Sequence, residues 1–298
     1  MSSKYAKNLE SVSQPRLISL IITTYNNPVK LLCVLNALSD QSDMNFEVIV
    51  VDDGSTSETQ SMVEEFEKNC CYPLRLVWQP DNGFRASRSR NLGIKASDGD
   101  YIVFLDGDCI PLVHFIRHHR QLAEPGFFVS GHRVLLSPLF SQKIEKKLLR
   151  LHAKSLLYWL VRCLLRSSNK LCVGLVLGDS MWRKRKRRQW EGVKSCNLGV
   201  WKQDLISVSG FDESFLGWGY EDSDLVIRLI RLGLQRKIGK YAVEVLHLWH
   251  LEESRDRQSS NQELLSQVLN GQRIKALESV LTNAVVIPSS QVIFRYMQ

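Results

Sequence analysis

In the stretch VFLDGDCIP, 103–111, Asp106 and Asp108 stand one residue apart behind a run of apolar side chains. A turn at a strand end would press the two carboxylates together, and a divalent cation relieves that repulsion by binding both. An ion held in this way also grips a diphosphate, so Asp106-Gly107-Asp108 reads as a DxD metal and diphosphate motif. The same residue types dominate ordinary turns, and the motif alone reads as readily as a turn with no ion.

Three further groups carry chemistry. Glu221, Asp222 and Asp224 follow GWGY at the start of a helical pattern. Carboxylates there are either capping groups favoured by the helix dipole or a base beside a bound sugar. Trp218, between Gly217 and Gly219, favours the base: a mobile loop would present an aromatic platform to the ligand, and a helix cap needs no tryptophan. His247 and His250 close the apolar run 242–250, where two imidazoles complete a metal shell or serve structure. In NGFRASRSRNLGI, Gly83 precedes Arg85, Arg88 and Arg90. These guanidinium groups either reach phosphate or lie solvated or carboxylate-paired on a helix surface.

The elements that must position these groups follow from periodicity. Near-continuous apolar runs at 17–25, 46–55, 73–82 and 100–109 read as strands buried on both faces. Between them, 29–41 places Leu31, Leu32, Leu35 and Leu38 on one helical face, and 57–69 begins with Ser57 as a plausible N-cap. Strand, helix, strand, helix implies a parallel, doubly wound sheet, whose ligands bind beyond the strands' carboxyl ends. Thr23, Thr24, Tyr25, Asn26, Asp52, Asp53, Asp106 and Asp108 all fall at that mouth. Later come a basic amphipathic segment at 143–170, a short run at 197–201, and a helix closed by Gly233. Spaced leucines at 261–281 predict a tail helix packed on the domain or against a partner.

In this order, IITTYNN, VIVVDDGS, DNGFRASRSRNLGI, FLDGDCIP, GFDESFLGWGYEDSDLVIRL and HLWH resemble the family 2 glycosyltransferases of GT-A fold over residues 16–251. The later half is similar to the part shared by galactosyltransferases and chondroitin-type polymerases. The resemblance implies an α/β, Rossmann-like, mainly parallel central sheet flanked by helices, with a basic amphipathic helical insertion and a C-terminal helical tail. It implies inverting sugar transfer from a nucleotide diphosphate sugar, a UDP-sugar first among them (UDP-Gal, UDP-Glc or UDP-HexNAc), with Asp222 as the base. Thr23, Tyr25 and Asp53 match positions that hold nucleotide base and ribose, with Thr24 and Gly107 in the same donor site. Gly83, Arg85 and Arg90 match its donor-side region. Asp106 and Asp108 match the metal and diphosphate motif, and His250 the C-terminal metal ligand, with His247 where related enzymes place methionine. The metal implied is Mn²⁺ or Mg²⁺. Trp218, Gly219 and Glu221 fall on the acceptor side. Thr23 replaces a proline common in the family, and 143–196 is longer and more basic than the usual connection.

The implied organisation is an extension at 1–15, a transferase domain at 16–255 and a tail at 256–298. Within the domain, 16–110 binds the nucleotide sugar, 111–196 is the basic segment facing acceptor or membrane, and 197–255 is the acceptor and catalytic half. The start of the chain shows no apolar core behind a basic stub, and no run is long enough to cross a membrane, so neither secretion nor a spanning helix is expected. Seven cysteines without a CxxC spacing suggest reduced thiols in a cytoplasmic compartment. Residues 143–188 hold fourteen Lys or Arg against Glu145 and Asp179, a local net charge of +12, which leaves −4 for the rest of a +8 chain. Apolar residues at helical spacing among these charges suit a helix lying on an anionic membrane surface, or an ordinary surface helix packing its stripe on the core. The expected partners are the nucleotide-sugar donor, a glycan or lipid-linked acceptor and that membrane surface, with no nucleic acid. The expected location is cytoplasmic, peripheral on the inner face of the cell membrane, in lipopolysaccharide, capsule or other surface glycan synthesis. Two alternatives stand beside this reading: a nucleotidyltransferase, which leaves GWGYED unexplained, and a non-catalytic membrane- or nucleic-acid-binding protein, which leaves the acidic groups unexplained.

Overall fold

The computed structural model describes residues 14–171, 173–251, 256–282 and 293–295. In chain order the elements are β1 (Ile18–Thr24), α1 (Pro28–Ser39), β2 (Phe46–Asp52), α2 (Ser57–Glu67), β3 (Leu74–Trp78), α3 (Ala86–Ala96), β4 (Tyr101–Asp106), β5 (Cys109–Pro111) and α4 (Phe115–Leu122). They continue with β6 (Phe127–Ser130), β7 (His132–Leu135), α5 (Pro138–Lys147), α6 (Leu156–Leu164), β8 (Asn197–Trp201), α7 (Lys202–Ser207), α8 (Glu221–Leu232), β9 (Gln235–Ile238), β10 (Glu244–His247), α9 (Gln258–Asn270) and β11 (Ile293–Arg295).

The four apolar runs form the parallel strands β3, β2, β1 and β4 at the heart of a mixed sheet ordered β11-β3-β2-β1-β4-β8-β6-β9. Strand β8 runs antiparallel to β4 and to β6, and a second, small sheet is ordered β5-β10-β7. The strands are apolar on both faces because both are covered. Ile18, Leu20 and Ile22 share a core with Leu31, Val34, Leu35 and Leu38 of α1, while Ile21 joins Ile49, Val51, Leu92 and Ile94 on the opposite face. The parallel register sets Thr23 beside Asp106 and Thr24 beside Asp52, so the polar strand ends meet at one edge.

Buried polar clamps join the later elements to this sheet. The Asn91 amide on α3 donates to the Phe211 carbonyl (2.9 Å), Glu213 (2.8 Å) and Ser279 (3.1 Å), and its oxygen accepts the Phe211 N–H (2.8 Å). Asp212 accepts from the Leu277 N–H (2.9 Å), the Ser214 hydroxyl (2.7 Å) and Arg273. Arg273 also reaches Asp224 (2.8 Å), which pairs with Arg228 (2.7 Å). The tail therefore packs on its own domain.

Three expectations are corrected. Thr56, not Ser57, is the N-cap of α2, and no side chain closes that cap. The tail helix stops at Asn270, and 271–282 runs as irregular backbone because its N–H groups serve Asp212 and Glu213. The amphipathic segment is not one helix: α5 ends where Leu148 turns left-handed (φ 45°), and α6 starts afresh at Ser155, whose hydroxyl accepts the Tyr158 N–H (3.3 Å). Residues 1–13 of the expected extension, and the tail outside 256–282 and 293–295, lie outside the described residues.

Burial opposes ionisation of Asp212, but the hydrogen bonds from Leu277, Ser214 and Arg273 outweigh it and hold its pKa below the usual carboxylate range. A depressed native pKa contributes stability that is complete above the unfolded value of ~3.9 and is lost as pH falls through the native one. Asp212→Asn should therefore cost about 2 kcal/mol in urea unfolding at neutral pH. The gap from the wild type should shrink as the buffer is acidified below about pH 4. A gap independent of pH would show that the charge of Asp212 is not what binds the tail.

Candidate active site

The ends of β1, β2 and β4, the start of α8 and the end of β10 enclose a cavity of about 300 Å³. The Asp106-Gly107-Asp108 turn is pinned to β1 by the Gly107 N–H, which donates to the Thr23 carbonyl (2.8 Å). A Cβ at position 107 would stand 3.0 Å from that carbonyl, so glycine lets the turn lie against the strand. Both aspartates line the cavity.

Antiparallel pairing of β10 with β5 sets His247 opposite Cys109, next to Asp108. Asp108 Oδ2 lies 3.1 Å from His250 Nε2 and 3.5 Å from His247 Nε2. Burial opposes the charge on Asp108, yet the His250 hydrogen bond and the nearby His247 bring its pKa below the ordinary range. The hydrogen bond to Asp108 raises the pKa of His250, whereas burial lowers that of His247. One carboxylate oxygen and two ring nitrogens thus converge with Asp106 alongside, a donor set that fits a divalent ion. The Cys109 Sγ is also near Asp108 and His247. Burial pushes its pKa well above the usual thiol range, so it remains S–H, a poor ligand, and donates to Asp108 Oδ1 (3.3 Å).

On the facing wall, Arg90 is buried and reaches Asp106 Oδ1 (3.4 Å) with one nitrogen and Glu221 Oε1 (3.3 Å) with another. Its guanidinium also lies over the Phe211 ring, 5.3 Å from the centroid. Burial raises the Glu221 pKa to about 7, with Asp222 adding to the rise and Arg90 restraining it. Burial likewise lifts Asp106 to about 6 against the pull of Arg90, with Asp108 and Asp222 contributing. Asp222 is only 8% exposed, lines the cavity, and its Oδ1 has no hydrogen-bond partner among the described residues. The expected mobile loop before it is tied down. The Asn261 amide of α9 donates to the Leu216 and Gly219 carbonyls (3.0 Å each), and the Gly217 N–H donates to the Phe84 carbonyl (3.0 Å). Lys194 Nζ sits 5.9 Å from the Trp218 ring centroid.

Of the residues singled out in the sequence, Thr23, Thr24, Tyr25, Asp53, Arg90, Asp106, Gly107, Asp108, Trp218, Gly219, Glu221, Asp222, His247 and His250 line this one cavity. Gly83 and Arg85 lie outside the lining. The Gly83 N–H caps Asp81 (3.0 Å), and the Arg85 guanidinium turns back to the Pro80 carbonyl (2.6 Å). Arg85 acts instead through its main chain, whose N–H donates to Asp53 Oδ2 (2.7 Å). Arg88 pairs with Glu213 (3.3 Å). Sequence reasoning missed Phe84, Arg133, Lys194, Tyr220 and Leu251 in the lining. Phe84 and Tyr220 abut motifs already singled out, a usable signal. Arg133 belongs to a four-residue strand of the small sheet and carried none.

Comparison with known proteins bears on this geometry. Residues 19–138 match the family model described as glycosyl transferase family 2, and residues 180–252 the one described as the N-terminal domain of galactosyltransferase. The chain is 31% identical over 232 residues to a hyaluronan synthase of Pasteurella multocida, a match covering 72% of this chain and 23% of the relative. It is 28% identical over 245 residues to a chondroitin synthase of Escherichia coli, covering 76% and 34% respectively. The chain thus spans about a quarter to a third of the length of these two relatives. In shape it is similar to the mannosyltransferase PcManGT from Pyrobaculum calidifontis, solved in complex with GDP-Man and Mn²⁺, with a TM-score of 0.58 at 17% identity over 87% of this chain and 64% of that one. It is also similar to S. aureus TarS 1-349 in complex with UDP, with a TM-score of 0.53 at 15% identity over 85% of this chain and 65% of that one. The likeness to the solved structures is one of fold.

Removing the shared cation should expose how the two walls depend on it. Arg90→Met leaves Asp106 and Glu221 facing each other without a counter-charge, and chemical denaturation should show a loss of about 3 kcal/mol. Stability equal to the wild type would mean that these carboxylates do not need Arg90.

Proposed function

From the premise that the chain belongs to the family 2 glycosyltransferases through residues 19–138, we propose that it is an inverting, divalent-metal-dependent transferase. Its donor is a nucleotide diphosphate sugar, a UDP-sugar such as UDP-Gal, UDP-Glc or UDP-HexNAc first among them. Its acceptor is a hydroxyl of a glycan or a lipid-linked glycan, in bacterial lipopolysaccharide, capsule or other surface polysaccharide synthesis on the cytoplasmic side of the membrane. In this reading residues 16–110 bind the donor and 197–255 carry the acceptor side. The donor class draws support from the fold neighbours, one bound to GDP-Man and Mn²⁺ and one to UDP.

The observation that carries the reading is Asp222: a buried carboxylate oxygen without a partner among the described residues, in the cavity that also holds the Asp108 and histidine cluster. Asp222 takes the proton from the acceptor hydroxyl as that oxygen attacks the anomeric carbon. The bond from that carbon to the diphosphate oxygen breaks, the nucleoside diphosphate leaves with the electron pair, and the anomeric configuration inverts. A divalent ion held by Asp108, His247 and His250, with Asp106 alongside, would offset the charge of the departing diphosphate. Arg90 holds Asp106 and Glu221 in place, and Glu221 with Trp218 orients the acceptor beside Asp222.

Nucleotide release from a panel of UDP-, GDP- and dTDP-sugars, with Mn²⁺ or Mg²⁺, tests the proposal. Asp222→Asn should lower transfer by about a thousandfold while nucleotide affinity stays close to that of the wild type. An active variant would sink the assignment of the base. Transfer that persists undiminished in EDTA would remove the metal from the mechanism.

A further inference from the structure

We propose that α6 and its flanking turns form a docking face for an anionic lipid bilayer, with its apolar ridge next to the cavity mouth. Helix α6 is built the opposite way from an ordinary surface helix. Trp159 is its buried anchor, whereas Leu157 (69% exposed), Leu160, Val161 and Leu164 (71% exposed) follow helical spacing on the outer side. Leu139 of α5 is 81% exposed and is drawn close to the end of α6 by the Ser137 N–H, which donates to the Ser167 carbonyl (3.0 Å). Large apolar side chains left in water along one helix face mark a surface with a partner.

The charge around the ridge identifies that partner. Lys143, Lys146, Lys147 and Arg166 are exposed and form no ion pair among the described residues. Helix α6 itself contains no acidic residue. Arg162 stacks on the rings of Phe140 (4.7 Å) and Tyr158 (4.9 Å) and adds a further cation to the helix itself. An apolar ridge on a segment that carries exposed cations complements acyl chains beneath anionic headgroups. The RKRKRR run contributes only in part. Arg183 is buried against the Leu177, Gly178, Ile238 and Lys240 carbonyls, and Lys184 pairs with Glu124 (2.7 Å), whereas residues 185–188 are exposed.

The segment that carries the ridge is tied to the wall of the active site through its buried side. The Leu136 N–H donates to the His247 carbonyl (3.1 Å), and the Trp249 N–H donates to the Ser141 hydroxyl of α5 (2.8 Å). Beyond Trp249, Leu251 is 78% exposed and lines the cavity. A bilayer seated on the ridge would therefore meet the acceptor side of the mouth. This last step rests on the reading of the cavity as a transferase site; the docking does not.

The test is sedimentation of the full chain with phosphatidylglycerol–phosphatidylcholine vesicles and with phosphatidylcholine vesicles alone. The chain should bind the anionic vesicles at low ionic strength and leave them at about 1 M salt. Leu157→Glu combined with Leu164→Glu, two outward positions, should weaken that binding by roughly tenfold or more with an unchanged melting temperature. Absence of binding to anionic vesicles, or binding that the paired substitution does not weaken, would overturn the proposal. So would a dimer in light scattering that the substitution dissolves, since the ridge would then face a second copy. No donor or acceptor enters this assay, so a failure of the transferase reading leaves its outcome intact.

Discussion

The active-site architecture turns on one buried cation. Arg90 comes from the helix that follows β3, Asp106 from the end of β4, and Glu221 from the first turn of a helix more than a hundred residues later. Buried carboxylates repel one another and resist ionisation, and only a cation reaching both walls lets them share a cavity. The planar guanidinium does so with separate nitrogens, a geometry that a lysine ammonium does not reproduce. Asn91, the next residue, fastens the same helix to the Phe211 turn, which precedes the wall that carries Glu221 and Asp222. The two walls are thus held in register by adjacent residues of α3.

Around that link the titrating groups fall into two sets. Asp108 keeps its charge because two histidines face it, and the end of β10 is where those histidines must sit. Glu221 and Asp106 are lifted by burial, so their protonation is set by how dry the cavity is. Asp222 keeps an oxygen without a partner among the described residues. A buried acceptor left open is costly to a fold, and here it faces the same cavity as Asp106 and Asp108.

The α5–α6 region obeys a different economy. Phe140, Ile144, Leu151 and Trp159 join it to the core of the domain, and the leucines of α6 that the core does not take up remain exposed. Leu136 and Ser141 tie this region to β10 and to the turn after it, where His247 and His250 sit.

Much of this was legible in the sequence. The four strands carried continuous apolar runs because each is buried on both faces, and their polar ends had to gather at one mouth because parallel strands all finish on the same side. The identities of Asp106, Asp108, Asp222, His247 and His250 were visible for the same reason: each stands at an element boundary, where a polar residue interrupts a pattern. Other features left no local trace. That Arg90 joins two walls while Arg85 turns away depends on where a helix face points after packing. That 143–170 breaks at Leu148, and that the leucines of α6 face outward while Leu151 is buried, depends on what the core had room to accept. That Asn261 would hold the Trp218 loop depends on a contact between α9 and a loop some forty residues earlier. Periodicity and residue chemistry, carried by neighbours in the chain, determined the strands, the helices and the reacting groups. Pairing between distant residues, which no local pattern encodes, decided which of those groups share a cavity, which cation joins them and which apolar face remains uncovered.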